Sequence, residues 1–103
     1  MPLELRPNCE CCDKDLPANA TDARICSFEC TFCADCVENV LHNVCPNCGG
    51  GFERRPVRPA NAWRPGVSLA TRPASTKRHA MRFTVEELAD HIARVGGVPP
   101  EQR

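Results

Sequence analysis

Nine cysteines, Cys9, Cys11, Cys12, Cys26, Cys30, Cys33, Cys36, Cys45 and Cys48, are the residues of this 103-residue chain best suited to chemistry. Cys9 with Cys12, Cys33 with Cys36, and Cys45 with Cys48 share a Cys-x-x-Cys spacing, and Cys26 with Cys30 is one residue wider. A tight turn with sulfurs at its two shoulders brings them within the roughly 3.8 Å that a tetrahedral ion with Zn–S bonds of about 2.3 Å requires. Pro46 and Asn47 occupy the last turn and Gly49, Gly50 and Gly51 follow it, so the chain can bend there and aim amides at sulfur. Fully extended, Cys26 and Cys30 would lie about 13 Å apart. The segment between them is therefore expected to turn.

Disulfides, a redox couple and metal compete for these sulfurs. An odd count leaves one thiol over in any disulfide scheme, and adjacent cysteines rarely bridge each other. A thioredoxin-like couple needs one Cys-x-x-Cys on a βαβ frame, and a ferredoxin-type cluster needs a spacing that is absent here. Four pairs supply two four-sulfur zinc sites, from Cys9, Cys12, Cys26, Cys30, Cys33, Cys36, Cys45 and Cys48, with Cys11 as a bystander or a substitute for Cys9 or Cys12. The pairs can join sequentially or interleave. "VENVLHNV" places Val37, Val40, Leu41 and Val44 at helical spacing, and two helical turns would carry Cys45 about 12 Å from Cys36, which sequential pairing would have to replace by a hairpin. Interleaving instead lets that helix lie between the ions and pack against Ile25, Phe28 and Phe32.

Those eight cysteines, with Pro46 after Cys45, resemble the ligand pattern of a RING finger, with cysteine at position 30 where histidine is usual. The resemblance implies a cross-brace: one ion on Cys9, Cys12, Cys33 and Cys36, the other on Cys26, Cys30, Cys45 and Cys48. Ubiquitin ligases of that class carry an aliphatic residue before the second cysteine and a cation soon after the last, whereas Cys11 and Gly49 stand here. The stretches "LELRPNCECCDKDLP", "ICSFECTFCADC" and "LHNVCPNCGGGF" are also similar to a small bacterial family of cysteine-rich proteins of unknown function, over about residues 1–59. That likeness implies a zinc-binding fold and no assigned activity.

The elements that must position the cysteines contain few large apolar residues, so metal is expected to supply cohesion that a core of this size cannot. A small zinc-stabilised α+β fold is expected: a RING-like or treble-clef two-zinc module over 1–55, a basic Pro-rich linker over 56–82, an amphipathic helix within 83–96 and a tail over 97–103. Thr84 and Glu87 form a capping box, Phe83 and Leu88 a hydrophobic staple, and Gly96 a stop, so the spacing predicts a helix over 85–95. Its apolar positions Val85, Leu88, Ile92 and Val95 would dock on the zinc module, on a second copy or on a protein partner.

Formal charge is zero, but residues 1–50 hold three cations and eight anions, whereas 51–80 hold seven cations and one anion. Arg54, Arg55, Arg58 and Arg64 could follow a phosphate backbone and Trp63 could stack on a base, making nucleic acid an alternative partner. The charged N-terminus lacks the apolar run of a secretory signal, and no window approaches a membrane span, so a cytoplasmic protein without membrane contact is expected. Closed four-sulfur sites leave no position for activated water, so no enzyme activity is expected. An interaction or adaptor module with two structural zinc ions per chain is the leading reading.

Overall fold

The computed structural model describes residues 2–103. Three short strands, β1 (Ala23–Ile25), β2 (Thr31–Cys33) and β3 (Glu53–Arg54), form an antiparallel sheet in the order β2-β1-β3. Ala23 lies opposite Cys33, and Arg24 pairs with Phe32 on one side and Arg54 on the other. The β1–β2 connection reverses within Cys26–Cys30: Glu29 N–H donates to the Cys26 carbonyl at 3.1 Å and Cys26 N–H to that of Cys30 at 3.2 Å. Glu29 takes a left-handed backbone, φ 67°, to close this turn.

A helix follows β2 at once. The turn α1 (Ala34–Cys36) runs into a wider π-turn over Val37–Leu41, in which His42 N–H reaches back five residues to the Val37 carbonyl. His42 and Asn43, both left-handed, end it. The helix thus begins three residues before the expected segment and stops short of Val44. Widening the turn also shifts side chains off α-helical spacing. Leu41 and Val44 are fully buried, but Val40 is 42% exposed rather than on the inner face. Phe28 likewise departs from expectation: it rides on the hairpin turn, 71% exposed. Phe32 faces inward and meets Phe52 edge-to-face at 5.3 Å.

Leu16, Ala23, Phe32, Leu41, Phe52 and Leu88 form the buried cluster together with Cys9, Cys26, Cys30, Cys33, Cys36 and Cys45. Cysteine therefore makes up half of it. Polar ties complete what apolar area cannot. The fully buried Arg55 donates to the carbonyls of Arg6 (2.8 Å), Leu16 (3.2 Å) and Pro17 (2.9 Å), and Glu10 accepts from Thr31 N–H at 2.6 Å and from Arg6 at 3.0 Å.

The Pro-rich stretch lies as a strap on the N-terminal half. Ser75 N–H donates to the Leu5 carbonyl at 3.0 Å, Met81 N–H to that of Glu10 at 2.8 Å, and Arg78 pairs with Asp13 at 2.9 Å and Asp15 at 2.8 Å. The final helix α2 (Val85–Val95) starts at Thr84, whose hydroxyl accepts from Glu87 N–H at 3.1 Å while the Glu87 carboxylate accepts from Thr84 N–H at 3.0 Å. Leu88 is buried in the shared core and Ile92 packs against it. Val85 is 85% exposed, so one of the four expected contact residues faces away from the chain's own body. Among the described residues no helix is long and apolar enough to cross a membrane.

Candidate metal centres

Two turns of one design carry the outermost cysteine pairs. In the first, Asp13 N–H donates to the Cys9 carbonyl at 2.9 Å and Cys9 N–H to that of Lys14 at 2.8 Å. In the second, Gly49 N–H donates to the Cys45 carbonyl at 2.8 Å and Cys45 N–H to that of Gly50 at 2.8 Å. Each turn closes through a left-handed residue, Asp13 at φ 64° and Gly49 at φ 79°, placed just after the second cysteine. Aspartate and glycine are residue types that tolerate this conformation. The two sulfurs of each pair are thereby left at the shoulders of a knuckle.

The first knuckle meets the junction of β2 and α1. Cys33 ends the strand and Cys36 lies one turn into the helix, so their thiols project to the same side as Cys9 and Cys12. All four sulfurs lie within 4.8 Å of one another, and Cys12 Sγ is 3.8 Å from Cys33 Sγ. That last separation is the edge of a tetrahedron with bonds of about 2.3 Å. The second knuckle meets the β1–β2 turn, where the sulfurs of Cys26, Cys45 and Cys48 also lie within 4.8 Å of one another. Cys30 stands outside that mutual distance, yet its thiol interacts with that of Cys26 and its sulfur accepts from Asn47 Nδ2 at 3.3 Å. The first pair thus joins the third, and the second joins the fourth.

Donor chemistry decides whether such clusters fit a metal. Sulfurs this close cannot all carry charge unless a cation lies between them, and their proton affinities separate accordingly. The Cys45 thiol beside it holds Cys26 down to about 5 against the opposing effect of burial. Interaction with that same Cys26 pushes Cys45 far up, and burial does so for Cys36. Burial also raises Cys9, to about 11. A divalent ion would replace those protons and neutralise the thiolates together. Amide donors already aim at sulfur: Phe28 N–H at Cys26 (3.4 Å) and Gly50 N–H at Cys48 (3.4 Å). The residues fit thiophilic metal ions.

Cys11, the ninth cysteine, is partly buried, interacts with the thiol of Cys36 and belongs to neither cluster. The C-terminal half secures the second knuckle: His91 Nε2 lies 3.0 Å from the Cys45 carbonyl oxygen, and Arg103 donates to the carbonyls of Asn43 (2.8 Å) and Gly49 (3.2 Å).

Among the basic residues considered for nucleic acid, Arg55 is excluded by its burial under three carbonyls. Arg54, Trp63 and Arg64 are exposed, and Arg58 is half-buried with its guanidinium on the carbonyls of Leu3 and Arg72. Sequence reasoning passed over Asn8, Glu10 and the clamping role of Arg55, because each acts on a backbone group distant in the chain and no local pattern marks it.

Fold and clusters together define a small α+β protein with two cysteine clusters able to hold metal. The chain belongs to the family described as protein of unknown function DUF1272, which matches residues 2–58. It is 60% identical over 76 residues to an uncharacterized protein of Rhizobium meliloti (strain 1021), covering 74% of this chain and 83% of that one. No solved structure matches the chain.

Proposed function

We propose that each cluster holds one structural zinc ion in a RING-like cross-brace, and that the chain is a cytoplasmic protein-interaction module without catalytic activity of its own. The observation that carries this reading is the mutual closeness of Cys9, Cys12, Cys33 and Cys36, drawn from two distant segments and interleaved with the second cluster. Knuckle, hairpin and helix follow one another around the first cluster in the order of a treble clef. Zinc suits four thiolates because it has no redox chemistry and accepts tetrahedral sulfur readily. With Cys30 drawn in as the fourth ligand of the second cluster, each site is closed, so the metal serves the fold, where it supplies on the order of 10 kcal/mol or more.

The interaction surface in this reading is the groove between the π-turn and α2, where Val40 and Val85 are exposed beside Asn39, His42 and Ala89. Mixed with cell extract, the zinc-loaded full chain would capture a defined protein. Val40→Asp combined with Val85→Asp would lose it without changing the melting temperature. An unchanged set of captured proteins would remove this surface from the reading, and a fold indifferent to chelation would remove structural zinc.

A further inference from the structure

Trp63 is the chain's one tryptophan, and there is no tyrosine. It is 77% exposed on a loop that is tied back to itself: Leu69 N–H donates to the Pro59 carbonyl at 2.9 Å and Thr71 Oγ1 to that of Gly66 at 2.8 Å. This loop borders a cavity of about 390 Å³, whose wall includes Trp63, Pro59, Val67, Arg58, Arg64 and Arg72. Apolar surface and cations therefore meet at one place.

None of those three arginines meets a carboxylate among the described residues; the ion pairs use Arg6, Lys14 and Arg78 instead. No acidic residue occurs between Glu53 and Glu86. Arg58 is fixed by donating to the Leu3 carbonyl at 2.6 Å and to that of Arg72 at 2.7 Å, bonds that orient the guanidinium but leave its charge uncompensated.

We propose that this cavity binds single-stranded nucleic acid: an unstacked base lies against the Trp63 indole, and Arg58, Arg64 and Arg72 neutralise the adjoining phosphates. A flat aromatic platform beside backbone-following cations is the chemistry by which single strands are held without sequence readout. A duplex keeps its bases stacked and offers none to the indole. A proline-rich peptide would cover the indole and leave the guanidinia unmatched, while an acidic peptide would do the reverse. The site lies apart from both cysteine clusters and does not depend on which metal fills them.

The lone tryptophan makes the test direct. The metal-loaded full chain is titrated with an unlabelled ten-nucleotide single strand of mixed sequence, following Trp63 emission, and the same strand carrying fluorescein is followed by anisotropy at several salt concentrations. Quenching is expected. Trp63→Ala should weaken binding about 5- to 150-fold, with Trp63→Phe keeping most of the affinity. Arg64→Ala with Arg72→Ala should lower the slope of log affinity against log salt by about 1.4. Equal affinity for a duplex or for inorganic polyphosphate, an unchanged Trp63→Ala variant, or quenching by a proline-rich peptide alone would each overturn the proposal.

Discussion

The side-chain amide of Asn8 pairs with the backbone of His79 as one strand residue pairs with another: Asn8 Nδ2 donates to the His79 carbonyl at 2.8 Å, and His79 N–H donates to Asn8 Oδ1 at 3.1 Å. Asn8 is fully buried immediately before Cys9, the first cysteine of the first cluster, and its amide nitrogen also reaches Asp13 at 2.9 Å, the left-handed residue that closes the first knuckle. One side chain thus links knuckle to strap. Asn8→Ala would leave buried polar groups without partners and is expected to destabilise the protein by about 1–3 kcal/mol, read from the denaturant midpoint. Asn8→Asp, which lacks the donor and sets a carboxylate against a carbonyl, should be at least as damaging.

Arg55 invites a similar test with a larger expected effect. Its guanidinium serves three carbonyls, and burial lowers its proton affinity, an effect that the nearby Asp22 carboxylate only partly opposes. Arg55→Ala leaves those carbonyls unpaired and opens a cavity, so a loss of about 3 kcal/mol or more is expected in chemical denaturation. Arg55→Lys should recover only part of it, because an ammonium lacks the planar fork that meets several acceptors at once.

Gly49 separates backbone strain from crowding. A Cβ there would stand 3.8 Å from His91 Cε1 and 3.9 Å from Val95 Cγ1, ordinary contact distances, but its φ of 79° is left-handed. Gly49→Ala should therefore lower stability by about 1–2 kcal/mol through backbone strain, whereas Gly49→Asn should cost less. Equal melting temperatures for glycine and alanine would contradict this.

Two neighbouring positions of the α2 apolar stripe, Leu88 and Val85, should respond unequally. Leu88→Ala removes a side chain from the shared core and is expected to cost about 2 kcal/mol or more. Val85→Ala, at an exposed position, should change stability by less than about 0.5 kcal/mol. Thermal melts of the two variants decide it.

These contrasts show which features were legible in the sequence. Cys-x-x-Cys turns, the Thr84–Glu87 capping box and the α2 periodicity are local patterns, complete within a few residues, and the chain folds accordingly. Val40 and Phe28 were misplaced because a π-turn alters the spacing that puts Val40 inward, and because a hairpin tip exposes whatever occupies it. Arg55 read as one more cation of a basic run. Its burial follows from carbonyls 38 to 49 residues away, and no spacing rule encodes those.

Metal affinity should depend on pH with a definite sign. Burial holds the metal-free Cys9 thiol protonated up to about 11, so an ion must displace protons to bind at neutral pH. Affinity measured against a competing chelator should rise from pH 6 to pH 8, with protons released on binding. A flat profile would argue against thiolate ligation.

Elemental analysis of gently purified protein, together with its Cys12→Ser and Cys11→Ser variants, tests the two-zinc account most directly. Two zinc ions per chain are expected in the wild type and after Cys11→Ser, with loss from the first cluster confined to Cys12→Ser. A chain that carries less than one metal ion and still unfolds cooperatively, or one that loses zinc when Cys11 is replaced and keeps it when Cys12 is, would contradict the assignment.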